Sequence, residues 1–140
     1  NSVNLIVPQD SINSRAFIDN EDYIISDSKS IPEGLIGLDI GPKTVSEFKN
    51  IISKSKTIVW NGPMGVFEFK NFSTGTKEVA KAVASVTKKG AFSLVGGGDS
   101  ISALKKFDLS SEVSYVSTGG GAMLHFLETK KLPAVQAILD

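Results

Sequence analysis

Asp99 sits directly behind a run of three glycines, Gly96–Gly98, and directly before Ser100. Glycines let the backbone approach a ligand closely and adopt positive φ. If such a run ends a strand and opens a helix, the unpaired N–H groups and positive dipole end of that helix make a phosphate site. A carboxylate beside bound phosphates is repelled unless a divalent cation lies between them. Mg2+ takes one or two carboxylates and completes its shell with phosphate oxygens and water. Asp99 and Ser100 therefore read as a metal-and-phosphate pair. Both residue types also suit a helix N-cap, a role compatible with the first. A second run, Gly119–Gly121, follows the stretch Ser114–Ser117, and two helix starts of this kind would face one phosphoryl group. Neither run has the GxxxxGK[ST] pattern of a P-loop or the third glycine of GxGxxG, so both of those phosphate motifs are excluded.

A third element is TIVWNGPMGVFEF, residues 57–69. Asn61, Gly62 and Pro63 mark a turn. Pro63 and Gly65 argue against a hairpin with a second strand in register. Glu68 lies among Val66, Phe67 and Phe69. A carboxylate in that company is either solvated or bonded to a hydroxyl, for which a nucleotide ribose is one candidate.

The elements that must position these residues alternate along the chain. Strands are expected at Val3–Pro8, Tyr23–Ser26, Thr57–Trp60, Ala91–Val95 and Ser114–Ser117. Thr57–Trp60 lacks polar alternation, the pattern of a strand buried on both faces. Pro42 opens a helix with Val45, Phe48, Ile51 and Ile52 at helical spacing, and Thr44 with Glu47 fits a capping box. Val79, Ala82, Val83 and Val86 form a second helical stripe, with Ser73 or Thr74 as cap and Gly90 as terminator. Ile101 and Leu104 mark a short helix after the first glycine run, and Met123, Leu124 and Leu127 mark one after the second. This order predicts an α/β fold with a doubly wound parallel sheet, in which ligands bind at strand C-termini.

Composition excludes some classes. The 140 residues carry no net charge, with six acids and two bases in residues 1–34 against nine acids and thirteen bases in 35–140. That mild asymmetry is not the clustered basic face of a nucleic-acid binder. Lysine pairs at 88–89, 105–106 and 130–131 follow expected helices and read as charges favourable at helix C-termini. The sequence contains no cysteine, which removes disulfides and thiolate metal sites and fits a cytoplasmic location. No apolar run approaches membrane-spanning length, so no membrane partner is expected. The chain opens on Asn1, in a strand-like run, and reads as a piece of a longer polypeptide.

TIVWNGPMGVFEF (57–69), LVGGGDSISALKKF (94–107) and YVSTGGGAMLHFLETKKLP (115–133), in this order and spacing, resemble phosphoglycerate kinase. EGLIGLDIGPKTVSEF (33–48) and VNLIVPQD (3–10) resemble segments that precede them in that family. The resemblance covers essentially the whole chain. It implies a monomeric enzyme of two Rossmann-like domains joined by a hinge. The N-terminal domain binds phosphoglycerate through a basic patch, and the C-terminal domain binds Mg-ADP or Mg-ATP. Residues 1–140 correspond to part of that C-terminal domain. The substrate domain with its catalytic arginine, the phosphate-binding lysines and the hinge are expected outside this chain.

Residue by residue, the resemblance implies that Gly37 and Leu38 border the adenine. Asn61, Gly62 and Pro63 would line the phosphates and the base-side wall, and Glu68 would bind ribose hydroxyls. Asp99 would hold Mg2+, with Gly97, Gly98 and Ser100 on the phosphates. Amides of Gly98 and Gly119 would support the transferring phosphoryl group, and Ser117 and Thr118 would lie near the hinge. Ser100 stands where the family usually has threonine and keeps the hydroxyl. His125, Thr129 and Ala134 also depart from the pattern, outside the phosphate loops. The implied reaction is reversible phosphoryl transfer between ATP and 3-phosphoglycerate, giving ADP and 1,3-bisphosphoglycerate, in glycolysis. Little turnover is expected from this chain alone. The alternative is a non-catalytic nucleotide- or phosphate-binding α/β module. A flavodoxin-like domain is disfavoured, because Asp99 would lie against a flavin phosphate with no metal between.

Overall fold

The computed structural model describes residues 2–139. β1 (Asp10–Ser14), β2 (Tyr23–Asp27) and β3 (Ile36–Ile40) form an antiparallel sheet of order β2-β1-β3. β4 (Thr57–Asn61), β5 (Phe92–Gly96) and β6 (Tyr115–Ser117) form a parallel sheet of order β4-β5-β6. The helices α1 (Pro42–Ser53), α2 (Thr74–Lys88) and α3 (Gly98–Lys106) link β3 to β4, β4 to β5 and β5 to β6, and α4 (Gly120–Thr129) and α5 (Pro133–Leu139) follow. The α/β expectation holds, with helices flanking a parallel sheet.

The parallel register matters most for the site. Asn61 pairs with Gly96, and Gly96 pairs with Ser117. The three chemistry-bearing loops therefore leave the sheet side by side, at its C-terminal edge.

Two apolar clusters hold these parts. Trp60, Val79, Val83, Val95 and Leu104 pack α2 and α3 against β4 and β5. Ile12, Leu38 and Phe72, with Val66 and Phe69 against them, join the antiparallel sheet to the loop after β4. Phe72 and Leu104 are fully buried, and burying such a side chain contributes about 1.5–3 kcal/mol.

The structure corrects several sequence expectations. Val3–Pro8 is not a strand: none of the described residues pairs with it, and Val3 and Leu5 are 79% and 85% exposed. With no ladder partner, the exposed backbone of this segment is satisfied by water and not by a sheet. Thr57–Trp60 is not buried on both faces: Trp60 and its β5 neighbour Val95 are buried, but Val59 is 46% exposed on the opposite face, as are Phe92 and Tyr115 beside it on the sheet. The antiparallel sheet was not anticipated. β1 reads as DSINS, too polar to signal a strand, yet Asn13 is fully buried and donates to the carbonyls of Ser11 and Ile24 and to Ser26 Oγ. The Thr44–Glu47 capping box does not form either. Gly41 is the N-cap of α1 and Pro42 its first helical residue, while Thr44 turns to Asp10 and Glu47 accepts from Gln9. Gly90 ends α2 with φ +97°, as its sequence position predicts. No helix among the described residues is long and apolar enough to cross a membrane.

Candidate functional site

The four longer helices begin in two different ways. α1 is capped from another strand: Asp10 accepts from the amides of Lys43 and Thr44 at 3.0 and 2.9 Å and from the Thr44 hydroxyl at 2.7 Å. α2 is capped likewise, with the amide of Gly75 donating to Asp39 at 2.7 Å. α3 and α4 start instead on Gly97 and Gly119, which carry no side chain to cap with. Among the described residues no side chain accepts from the first-turn amides of either helix. Their N–H groups and positive dipole ends stay free for an anion.

These two free helix starts meet. A Cβ on Gly120 would lie 2.6 Å from the Cα of Gly97, and one on Gly97 would lie 2.9 Å from Asn61 Oδ1. Gly97 also holds φ +92°. Only glycine permits this approach at both positions. Gly98, the first residue of α3, and Gly119 both lie exposed beside the contact. The two glycine runs thus open their helices side by side at one place.

Asp99 lies in the first turn of α3 with Gly97 as N-cap, so the N-cap role open to it is not taken. Its carboxylate is exposed beside the free amides. Among the described residues no group of three or more acids and histidines could hold a metal by itself. That donor set fits Mg2+ carried in with phosphate oxygens, which needs one protein carboxylate, and does not fit a resident metal centre. Ser100 is fully buried and its Oγ accepts from the amide of Gly62 at 2.7 Å. Its oxygen thus ties α3 to the loop after β4, a role its sequence position did not reveal.

That loop is held at many points. Trp60 Nε1 donates to the Gly62 carbonyl, the amides of Met64 and Gly65 donate to Thr76 Oγ1, and the Val66 amide donates to the Leu38 carbonyl. Pro63 lines a cleft of about 570 Å³ together with Gly37 and Leu38. Three residues expected around one base thus share one cavity wall. Glu68 is exposed on the loop and its side chain has no hydrogen-bond partner among the described residues. His125 is exposed on α4.

Asp39 lines the same cleft and was not singled out in the sequence. Burial pushes its carboxyl up to about 6, against the downward pull of the Gly75 and Ile40 amides that donate to it. The available signal was an acid inside the apolar run Leu38–Ile40. Thr76 gave no signal, since its partners lie more than ten residues away. Lys106 reads as a helix-end charge, yet its ammonium reaches the carbonyls of Phe67 and Glu68.

Comparison with known proteins is consistent throughout. The family model described as phosphoglycerate kinase matches residues 1–130. The chain is 54% identical over 139 residues to phosphoglycerate kinase of Thermosipho africanus, covering 97% of this chain and 34% of that protein. It is 49% identical to that of Schistosoma mansoni, covering 99% and 34%. Its fold superposes on phosphoglycerate kinase from Coxiella burnetii with TM-score 0.83 and 41% identity, over 94% of this chain and 32% of that one. For the enzyme from Pyrococcus horikoshii the TM-score is 0.74 at 36% identity, with the same coverage. The chain spans about a third of the length of the relatives it matches. With the glycine loops, the aspartate behind them and the fold in agreement, the chain belongs to the phosphoglycerate kinase family.

Proposed function

We propose that this chain forms the Mg-nucleotide half of a phosphoglycerate kinase, as part of its C-terminal domain. The reaction is reversible transfer of the ATP γ-phosphoryl group to the carboxylate of 3-phosphoglycerate, giving ADP and 1,3-bisphosphoglycerate, in cytoplasmic glycolysis. The observation that carries this reading is the meeting of two uncapped helix starts at Gly97 and Gly120, with Asp99 exposed beside them. Gly37, Leu38 and Pro63 border the base and Glu68 takes the ribose hydroxyls. Asn61, Gly62 and Gly97 surround the phosphates, while Ser100, expected among them, is fully buried and instead holds the Gly62 amide from behind.

The acceptor carboxylate is already ionised at neutral pH, so no general base is required. Catalysis rests on positioning and on stabilising charge at the transferring group. Amides at Gly98 and Gly119 donate to that group, with the α3 and α4 dipoles behind them. Asp99 anchors Mg2+, which when bound neutralises phosphate charge. Acceptor binding belongs to an N-terminal domain of the complete monomeric enzyme.

A coupled assay with ATP and 3-phosphoglycerate tests this. The chain alone is expected to turn over little or nothing. The chain fused behind the N-terminal part of the Thermosipho africanus enzyme is expected to turn over, and Asp99→Asn is expected to abolish that activity. A folded chimera that binds both substrates without turnover, or rapid turnover by the chain alone, would overturn the proposal. Nucleotide binding without turnover in the chimera favours the non-catalytic module.

A further inference from the structure

We propose that Lys106 is a positioning residue for the ribose end of the nucleotide site. It fixes the backbone of the residue that takes the ribose hydroxyls. The inference rests on the reading of Glu68 as ribose ligand.

Lys106 is the last residue of α3, and its Nζ donates to the Phe67 carbonyl at 2.8 Å and to the Glu68 carbonyl at 2.9 Å. A lysine in a last helical turn ordinarily lies near its own helix's free carbonyls. This one crosses to a segment nearly forty residues earlier in the chain. No carboxylate among the described residues forms an ion pair with it. Its charge is directed at two peptide carbonyls, and hydrogen bonds with an ionised donor are about twice as strong as neutral ones.

The other end of α3 grips the same loop. Ser100 Oγ accepts from the Gly62 amide in the first turn of the helix. From Gly98 to Lys106 the helix spans about 12 Å at 1.5 Å per residue. One rigid rod therefore carries Asp99 at one end and sets the Glu68 backbone at the other. The Glu68 side chain has no partner of its own among the described residues, so the point from which it reaches a ribose is set by its backbone, whose carbonyl Lys106 holds. The distance between the phosphate end and the ribose end of the site is thereby tied to the length of a helix.

The test is discrimination between ADP and 2′,3′-dideoxy-ADP, each with Mg2+, measured by calorimetry on the chain. The parent protein is expected to prefer ADP by at least about tenfold, the range that hydrogen bonds to a carboxylate supply. Lys106→Met keeps the aliphatic stem and removes the donor. It is expected to bring the preference down to within about threefold while affinity for the dideoxy compound changes little. Lys106→Arg, whose fork can donate to both carbonyls, is expected to restore most of it. Equal urea midpoints for the variants separate positioning from a loss of fold. Glu68→Ala tests the underlying reading: it must abolish the preference. If Glu68→Ala abolishes it and Lys106→Met leaves it intact, the role of Lys106 is overturned and the ribose reading stands. If Glu68→Ala leaves it intact, or the parent shows no preference, the ribose reading falls and the inference with it.

Discussion

The amide of Gly75 donates to Oδ2 of Asp39 across 2.7 Å, and the carboxylate that accepts it is 5% exposed. A β3 side chain thus caps α2, thirty-six residues later in the chain. The fit admits no side chain opposite it. A Cβ on Gly65 or Gly75 would come within 2.3 or 2.2 Å of Asp39 Oδ1. Asp39 therefore lies tight against Gly65, while the Val66 amide bonds the loop after β4 to the Leu38 carbonyl of β3, where Leu38 and Pro63 share the cleft wall.

Asp39 gives the fold a pH dependence of definite sign. Burial raises its carboxyl from 3.8 to about 6, so the folded state binds a proton more tightly than the unfolded chain does. The stability this proton contributes is fully present below the unfolded value and lost as pH rises through about 6. Lowering the pH from 7 to 5 should stabilise the wild type relative to Asp39→Asn by on the order of 1 kcal/mol. Urea midpoints at the two pH values check it. Parallel pH profiles for the two proteins would show that Asp39 does not titrate this way.

Asp10 should behave in the opposite direction. Burial raises its carboxyl, but hydrogen bonds from Thr44 and Lys43 outweigh this and hold it below the usual value. Its contribution is present above the unfolded pKa and lost as pH falls through the lower folded one. Asp10→Ala should cost about 1–2 kcal/mol at pH 7, the range of a lost helix cap, and the deficit should shrink under acid conditions. Thermal unfolding at pH 7 and pH 3 measures both. A deficit that grows on acidification contradicts the assignment.

Two glycines of the same run type separate fold from ligand contact. A Cβ on Gly98 would meet nothing within 4 Å, whereas one on Gly120 would meet the Gly97 backbone at 2.6 Å. Gly98→Ala should leave stability unchanged or raise it by up to about 1 kcal/mol, since alanine favours a helix. It should still weaken Mg-ADP binding at least tenfold, by filling the space where the phosphates approach. Gly120→Ala should lower the unfolding midpoint. Unchanged ADP affinity in Gly98→Ala would remove that glycine from the phosphate site.

The placement of the glycine runs and Asp99 at strand ends and helix starts was legible because the signal is local: strand, glycine, acid and helix start are adjacent in the chain. The parallel strands Thr57–Asn61 and Phe92–Gly96 were legible for the same reason, as short apolar runs closed by turn residues. The caps were not. Thr44 looked like the partner of Glu47, three residues away, but its true partner Asp10 lies thirty-four residues earlier. Only the folded antiparallel sheet brings Asp10 and Asp39 to the helix starts. β1 was hidden because its buried positions are polar, satisfied by bonds across strands that sequence periodicity does not record. The exposure of Val59 was missed because an apolar run does not reveal whether anything packs over each face of its sheet; Phe92 on the central strand is exposed on the same face.

In the proposed site Asp99 binds Mg2+ carried by a nucleotide held on two helix starts. Calorimetry of ADP binding with and without Mg2+, on the parent protein and on Asp99→Ala, tests it most directly. Mg2+ is expected to tighten ADP binding at least tenfold in the parent and to leave Asp99→Ala unaffected. ADP binding that ignores both the metal and the substitution would contradict it.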